Sequence, residues 1–284
     1  MSTLYLDDIL ADHRARAARD NRALDDLIDE AKQMPPTRGF VRALRDAPAL
    51  GVIAEVKRRS PSKGDLNLGL DPAQLSAAYA AGGAACCSVL TDEKYFGGSP
   101  ADLAAVRAAV EIPVLRKDFT VSAHDVVDAR LMGADCVLLI IAALSDLELA
   151  EFHSLATDLG LDVLVEVHDE AEAQRAMMLD GTLIGVNQRD LRTFEVDTER
   201  AKRVAASLPE NVVRVAESGI GGPDDIGELI EAGFHAVLVG ESLVKHQGPA
   251  DGVKALIAAA ERGGNRLPLS GLEESGGQTE RGGK

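Results

Sequence analysis

The sequence predicts an α/β fold, a (β/α)8 TIM barrel with an N-terminal helical extension. Eight short apolar runs rich in β-branched residues alternate with segments that have the periodicity of amphipathic helices. Strands that alternate with helices specify a parallel sheet, and eight of them favour closure into a barrel over an open sheet. An open, doubly wound sheet would typically have a glycine-rich Gly-x-Gly-x-x-Gly turn after its first strand, whereas this strand is followed by Arg58, Arg59, Ser60 and Pro61.

The predicted strands and helices alternate along the chain, and several of the helices are bounded by residues typical of helix ends. The strands occupy residues 52–57, 86–90, 113–117, 135–140, 163–167, 183–187, 212–216 and 235–239. The helices between them occupy residues 72–81, 102–110, 122–131, 146–159, 169–179, 198–208 and 223–232. Asp71, Ser99 and Ser145 precede or begin three of these segments and can accept hydrogen bonds from the first backbone N–H groups. Gly133 and Gly160 follow two of the helices, as is common at helix C-termini.

The chain has three predicted parts. Residues 1–50 form the N-terminal helical extension, with helical patterns over residues 3–18, 21–33 and 40–47. Residues 51–262 form the catalytic barrel, which at this length is one large domain. Residues 263–284 are rich in Gly, Ser and charge and have few apolar side chains, so we expect a disordered tail. The extension either caps the barrel without a functional role or helps to cover the opening through which the substrate enters. The sequence leaves both interpretations open.

The amino-acid composition limits which class of protein this chain can be and which partners it can bind. The 284 residues are 46% hydrophobic, enough for a sizeable core, and their net charge of −16 argues against nucleic-acid binding, which needs a basic face. No apolar run is long enough to cross a membrane, and residues 1–20 do not resemble a signal peptide. Cys86, Cys87 and Cys136 are too few for a disulfide framework. We therefore expect a cytoplasmic monomer with reduced thiols and with no nucleic-acid or membrane partner.

Ionisable or amide side chains follow the apolar part of five predicted strands. The C-terminal ends of barrel strands meet at one rim, where catalytic groups converge. Because side chains alternate along a strand, Glu55 shares the inward face with Lys57. Each buried charge carries a desolvation penalty that pairing only partly offsets. A purely stabilising role is therefore a poor explanation for polar side chains at five such positions. The predicted rim residues, on strands one, three, five, six and seven, are Lys57, Lys117, Glu166, Asn187 and Glu217.

Two glycine-containing segments follow the last two predicted strands. Ser218 and Gly219 lie after strand seven, and Gly240 and Glu241 lie after strand eight. Backbone N–H groups in such loops, and at the start of a short helix, bind phosphate, and many barrels place a phosphate site there. One glycine pair is often only a turn, whereas glycine loops after both strands favour a binding site. We therefore expect a small-molecule substrate that contains a phosphate monoester.

Several motifs of the chain are similar to those of a known enzyme family. Ser60-Pro61-Ser62-Lys63-Gly64 and Lys117-Asp118-Phe119 are distinctive even alone. The others are Ile53-Ala54-Glu55-Val56-Lys57, Glu93-Lys94-Tyr95-Phe96-Gly97-Gly98, Leu164-Val165-Glu166-Val167-His168, Gly185-Val186-Asn187-Gln188-Arg189-Asp190-Leu191 and Ala216-Glu217-Ser218-Gly219-Ile220. From its N-terminal helices to about residue 260, the chain resembles the indole-3-glycerol phosphate synthase family. It departs at Arg59, where the family often has Lys, and residue 241 varies, so we expect Glu241 to contribute its backbone N–H.

The resemblance implies a reaction and the groups that perform it. The substrate would be 1-(2-carboxyphenylamino)-1-deoxyribulose 5-phosphate, closed to an indole with loss of CO2 and water. No metal or other cofactor would be needed, because the iminium formed on ring closure is itself the electron sink. Lys117 would be the general acid at the ketone oxygen, and Glu166 would be the base in the dehydration. Lys57 would orient the carboxylate and protonate the departing hydroxyl, with Glu55 positioning Lys57.

The other residues implied by the resemblance bind the substrate. Asn187 and Glu217 would bind the ribulose hydroxyls and tune the lysines, and Arg189 would reach the carboxylate. Phe96 and Phe119 would pack on the aromatic ring. The implied substrate-binding set is Ser60, Pro61, Phe96, Phe119, Arg189, Ser218, Gly219, Gly240 and Glu241.

Other interpretations of the same residues stay open. A class I aldolase would use a rim lysine such as Lys117 to form a Schiff base. An inactive barrel kept as a scaffold for a partner is a different class of function. His168, two residues after Glu166, suggests a metal pair, although no further histidine lies at ligand spacing. Phosphoribosylanthranilate isomerase fits less well, because it uses a Cys and an Asp where this chain has Lys57 and Asn187.

Overall fold

The apolar runs of the sequence form a closed parallel barrel. The computed structural model describes residues 5–61, 63–179, 181–190, 195–246 and 248–263. Eight strands pair in chain order, and the first also pairs with the last, which confirms the predicted (β/α)8 fold class. The strands are β1 Gly51–Val56, β2 Cys86–Leu90, β3 Val114–Lys117, β4 Cys136–Ile140, β5 Asp162–Val167, β6 Leu183–Asn187, β7 Val213–Glu217 and β8 Ala236–Val239.

Three helices precede the barrel and ten follow its first strand in the described residues. The first three are α1 Tyr5–Ala17, α2 Leu24–Lys32 and α3 Phe40–Asp46. The others are α4 Pro72–Ala81, α5 Glu93–Phe96, α6 Pro100–Ala109, α7 Ala123–Leu131, α8 Asp146–Asp158, α9 Glu170–Ala176, α10 Thr198–Ser207, α11 Ile226–Glu231, α12 Glu241–Lys245 and α13 Pro249–Gly263. None of these described helices has the length and apolar character that crossing a bilayer requires.

The predicted helix ends have the expected hydrogen bonds. The Asp71 side chain accepts from the first N–H groups of α4, and Ser145 forms a reciprocal capping box with Glu148 at the start of α8. Gly133 and Gly160 have φ values of 87° and 76°, which a residue with a side chain rarely adopts. Local chemistry therefore defines where these helices begin and end.

Some elements differ from the sequence prediction. Lys57 lies one residue beyond β1, and Glu217 is the last residue of β7 although the predicted strand ended at residue 216. The helices predicted over 169–179 and 223–232 each include a 3-10 turn. The helices α5 and α13 and a two-stranded ribbon, 59–60 with 64–65, were not predicted. The part of the expected disordered tail from residue 264 onward lies outside the described residues.

The helix α3 closes the N-terminal end of the barrel. Phe40 and Leu44 are completely buried and belong to the main hydrophobic core. A Cβ at Gly51, the first residue of β1, would approach a methyl group of Leu44 within 2.9 Å, so glycine allows the helix to pack this closely. Cys86, at the start of β2, is buried and free, and its thiol lies 3.7 Å from the carbonyl of Phe40.

Asp135 joins the extension to the same end of the barrel. This completely buried carboxylate accepts hydrogen bonds from the backbone N–H groups of Arg38 and Val114, each at 2.8 Å. It also forms an ion pair with Arg107 on α6. Buried backbone N–H groups need partners, so one carboxylate here satisfies two of them and a guanidinium.

We expect Asp135→Ala to lower the free energy of unfolding by about 3 kcal/mol or more, because it leaves two buried N–H groups and a cation without their acceptor. Urea unfolding would measure the loss. Asp158→Ala, on the exposed end of α8, is the control and should change the value by less than about 0.5 kcal/mol. A loss at position 135 no larger than that of the control would contradict the anchoring role.

Candidate active site

A cavity of about 790 Å³ opens at the C-terminal rim of the barrel. Leu6 and Ile9 of α1 line it together with the strand-end side chains, so the N-terminal extension forms part of its wall. Every residue of the predicted catalytic and substrate-binding sets lines this one cavity: Glu55, Lys57, Ser60, Pro61, Phe96, Lys117, Phe119, Glu166, Asn187, Arg189, Glu217, Ser218, Gly219, Gly240 and Glu241.

The first charged pair of the site comes from β1 and the residue after it. Glu55 is buried, with 3% of its surface exposed, and its carboxylate forms an ion pair with the ammonium of Lys57. A Cβ at Gly240, directly after β8, would collide with the Glu55 carboxylate. Glycine at position 240 therefore makes room for the carboxylate that holds Lys57.

Lys117 lies at the centre of the site, between two carboxylates. Its Nζ is 2.8 Å from Oε2 of Glu166 and 3.4 Å from Oε2 of Glu217. Asn187 donates from Nδ2 to the other oxygen of Glu166 at 3.0 Å. A Cβ at Gly185 would collide with Glu217, so the glycine on β6 makes room for this carboxylate. Side chains from β3, β5, β6 and β7 thus meet around one ammonium.

These contacts determine the charge of each group. Burial alone would lower the pKa of Lys117, but the carboxylates of Glu166 and Glu217 raise it above its ordinary value. Burial opposes ionisation of Glu166, yet the Lys117 ammonium holds the pKa of Glu166 well below its ordinary value. Burial raises the pKa of Glu217 to about 8, because Lys117 offsets only part of the desolvation and Glu166 adds repulsion.

Two ammonium groups therefore face three carboxyl groups, and Glu217 is the one without a cation of its own. Its Oε1 is buried and has no hydrogen-bond partner among the described residues. A protonated Glu217 carries no negative charge beside Glu166 and provides an O–H donor inside the cavity. The resting site then contains Lys57 and Lys117 as cations with Glu55 and Glu166 as their anions.

His168 lies beside the Glu166 carboxylate. Its Nε2 is 3.6 Å from Oε1 of Glu166, and its Nδ1 is 3.0 Å from Oε2 of Glu172 on α9. Burial disfavours the imidazolium, but these two carboxylates raise the pKa of His168 above its ordinary value. The charge of His168 adds to that of Lys117 in keeping Glu166 ionised.

One group of described His and carboxylate side chains has the dimensions of a metal site, and it does not include His168. The ligand atoms of His13, Asp92 and Asp118 lie within 4.8 Å of one another. Arg16 donates to the imidazole at 2.8 Å, and Arg116 donates to Asp118 at 3.0 Å. Two guanidinium groups would repel a bound cation, so the arrangement favours a hydrogen-bonded cluster.

The glycine segments after β7 and β8 line the same cavity. Ser218 and Gly219 have φ values of 64° and 70°, so the chain turns sharply after β7. The Ser242 hydroxyl donates to the carbonyl of Ile220 at 3.3 Å and joins this loop to α12. The carboxylate of Glu241 accepts from Lys245 of its own helix at 2.7 Å.

Phe96 and Phe119 form the aromatic part of the cavity lining. Their ring centroids are 6.3 Å apart. Phe96 ends α5, which begins after the N-cap residue Asp92, and Phe119 follows β3 by two residues. Arg189 also lines the cavity, and its backbone N–H donates to Asn187 at 3.0 Å.

Sixteen lining residues are absent from the predicted set, among them Leu6, Ile9, Lys63, Asp92 and Asp118. Lys63 and Asp118 belong to the distinctive Ser-Pro-Ser-Lys-Gly and Lys-Asp-Phe motifs, which could have identified them from the sequence. The apolar pattern of α1 shows that one of its faces is buried but does not show against what. Asp92 precedes the motif that begins at Glu93, and the sequence pattern does not distinguish it from other loop residues.

Comparison with known proteins gives the family. A sequence profile described as indole-3-glycerol phosphate synthase matches residues 6–256. A protein of that name from Nocardioides sp. is 52% identical over 253 residues, which cover 88% of this chain and 97% of the relative. The chain belongs to the indole-3-glycerol phosphate synthase family. An indole-3-glycerol phosphate synthase 1 from Streptomyces coelicolor is 50% identical, covering 90% of this chain and 94% of that protein.

More distant solved structures share the fold alone. A 3-hexulose-6-phosphate synthase superposes with a TM-score of 0.59 at 18% identity, covering 74% of this chain and 99% of that one. Thiamine phosphate pyrophosphorylase from Pyrococcus furiosus gives 0.58 at 17% identity, covering 78% and 98%. Membership of the indole-3-glycerol phosphate synthase family thus rests on the sequence relatives, and these structures add only the barrel.

We expect Glu217→Gln to raise the melting temperature, and by more at pH 8 than at pH 5. The ordinary pKa of this carboxyl is 4.5, and its folded pKa is about 8. Between these values the unfolded chain releases a proton that the folded chain keeps, so the stability from Glu217 is full below the lower pKa and is lost as the pH rises through the upper one. Gln has no such titration.

Thermal melts of both proteins across this pH range provide the measurement. Glu261→Gln, on the exposed last turn of α13, is the control for removing a carboxylate. If the difference in melting temperature between wild type and Glu217→Gln did not change with pH, Glu217 would not be the carboxyl that holds the extra proton.

Proposed function

We propose that this chain catalyses the indole-3-glycerol phosphate synthase reaction. It closes 1-(2-carboxyphenylamino)-1-deoxyribulose 5-phosphate to indole-3-glycerol phosphate with loss of CO2 and water. Family membership supports the reaction, and one structural observation supports it most directly. The Lys117 ammonium lies between the carboxyl groups of Glu166 and Glu217 in a cavity that is also lined by two phenylalanines and by the glycine loops.

Ring closure needs a proton donor at the ketone oxygen. The carbon of the aromatic ring that bears the carboxylate attacks the ketone carbon, and the oxygen accepts a proton from Lys117 as the C–O π bond breaks. Because the Glu166 carboxylate keeps Lys117 charged, the donor is present whenever the substrate binds. Positive charge then develops on the anilino nitrogen, and the electrons of the carboxylate C–C bond flow into this iminium as CO2 leaves.

Dehydration needs a base, and Glu166 has the required position. While Lys117 is charged, its ammonium makes Glu166 a weak base. After Lys117 has given up its proton, that effect ends and the basicity of Glu166 rises. Glu166 then removes the ring proton next to the hydroxyl-bearing carbon. The 2.8 Å contact lets Glu166 return this proton to Lys117 for the next turnover.

Lys57 completes the proton balance. The hydroxyl leaves as water and therefore takes up one proton, which we assign to Lys57. The overall reaction also consumes one proton, because a carboxylate is released as neutral CO2. Lys57 has 18% of its side chain exposed, so it can recover its proton from solvent. Glu55 holds the ammonium in place, and Arg189 shares the substrate carboxylate with it.

The remaining lining residues support the binding of the two ends of the substrate. Phe96 and Phe119 provide apolar surface for the aromatic ring. The loop at Ser218 and Gly219 and the start of α12 at Gly240 provide backbone N–H groups for the phosphate. Binding energy from the phosphate, which does not react, can then be used to orient the reacting end.

We expect Lys117→Ala to abolish CO2 release and indole formation together, because every later step depends on ring closure. Glu166→Gln keeps the shape of the base but cannot accept a proton, so it should release CO2 on the first turnover while indole absorbance lags. A positioned acid or base contributes about 10²–10⁴ in rate, which a single-turnover trace resolves.

The experiment measures labelled CO2 and indole absorbance in the same reactions, with wild type as the reference. Wild type that forms no indole product would refute the proposed reaction itself. CO2 release by Lys117→Ala but not by Glu166→Gln would show that the two roles are reversed.

A further inference from the structure

One face of α1 is buried although the helix lies outside the barrel. Leu6, Ile9 and His13 recur at helical spacing, and each has 3% or less of its surface exposed. Leu6 and Ile9 line the cavity. His13 is the polar member of this face, and a buried imidazole is stable only if its nitrogens have partners.

The partners of His13 fix its hydrogen-bonding state. A guanidinium can only donate, so the Arg16 nitrogen 2.8 Å from Nδ1 requires Nδ1 to be an acceptor. The proton of the neutral ring is then on Nε2, which lies 2.9 Å from Oδ2 of Asp92. His13 therefore donates one directed hydrogen bond from the extension to the loop after β2.

Both loops that present the phenylalanines contact His13. The other oxygen of Asp92 accepts from the backbone N–H of Tyr95 and caps α5, which ends at Phe96. The His13 ring packs against Phe119, with centroids 5.4 Å apart and planes at 58°. His13 thus touches the residue that orients α5 and the ring of Phe119.

We propose that His13 is a positioning residue that sets the aromatic wall of the cavity, formed by Phe96 and Phe119, and so determines how tightly the aromatic end of the substrate binds. The chemical class of that end, a 2-carboxyphenylamino group, rests on the proposed function. Without His13, the buried Asp92 carboxylate lacks this donor and Phe119 lacks a neighbour that limits its rotation. Packing of α1 against the barrel therefore also orders the surface that binds the aromatic end of the substrate.

Two variants separate the two contacts. His13→Phe keeps a ring against Phe119 but has no donor for Asp92, whereas His13→Gln keeps an N–H donor but has no ring. The probes are 2-aminobenzoate for the aromatic end and inorganic phosphate for the other end, each titrated by calorimetry. Thermal melts establish that both variants are folded.

We expect His13→Phe to weaken 2-aminobenzoate binding about tenfold, the effect of losing a buried hydrogen bond to a charged group. We expect His13→Gln to weaken it about threefold to tenfold, because the ring contact with Phe119 is lost. The KM of each variant should rise by a similar factor, while kcat and phosphate binding stay within about twofold. The hydrogen bonds and ring contact of His13 are to Arg16, Asp92 and Phe119, which do not belong to the phosphate loops. Asp8→Asn, at an exposed position of the same helix, is the matched control. It should leave both probes unchanged.

Unchanged binding of 2-aminobenzoate to both His13 variants would overturn the proposal. Equal weakening of both probes would also contradict it, because that would show a general loosening of the cavity. The titrations do not depend on turnover. Wild type that forms no indole product would therefore refute the proposed function, whereas the role of His13 in binding the aromatic probe would still be decided by the titrations.

Discussion

The buried ammonium of Lys117 is the constraint on which the site depends. Burial disfavours a charged lysine, and the Glu166 carboxylate 2.8 Å away reverses this effect, while Glu217 lies 3.4 Å away on the other side. The side chains of Glu166 and Glu217 reach Lys117 because closure of the barrel brings the ends of β5 and β7 close to the end of β3. Gly185 also makes room for Glu217. Barrel closure, strand register and one glycine are thus requirements of a single ion cluster.

The same cluster separates the candidate reactions. A lysine that forms a Schiff base must attack as a neutral amine, whereas the neighbours of Lys117 stabilise its charged form. The geometry therefore favours an acid over a nucleophile. The same geometry also lowers the stability of the folded protein locally, because Glu217 is buried without a cation of its own. Its second oxygen has no partner among the described residues. Such local instability is typical of sites selected for function.

The rim residues could be predicted from the sequence because two simple rules apply there. Side chains alternate along a strand, and all C-terminal strand ends of a barrel lie at one rim, so these rules alone place Lys117 and Glu166 at that rim. The contact between His13 and Asp92 could not be predicted. It joins residues 79 positions apart, and a helical pattern identifies a buried face without identifying what covers it. The short helix α5 was missed because four residues are too few to show a period.

The charge of Lys117 during catalysis is tested most directly by borohydride trapping followed by mass spectrometry. Wild type would be incubated with the proposed substrate and borohydride, and a parallel sample without borohydride would be assayed for indole formation. We predict indole formation in the parallel sample and an unchanged mass for the peptide that contains Lys117. A reduced substrate adduct on Lys117 would contradict its role as a charged acid and would instead indicate Schiff-base chemistry.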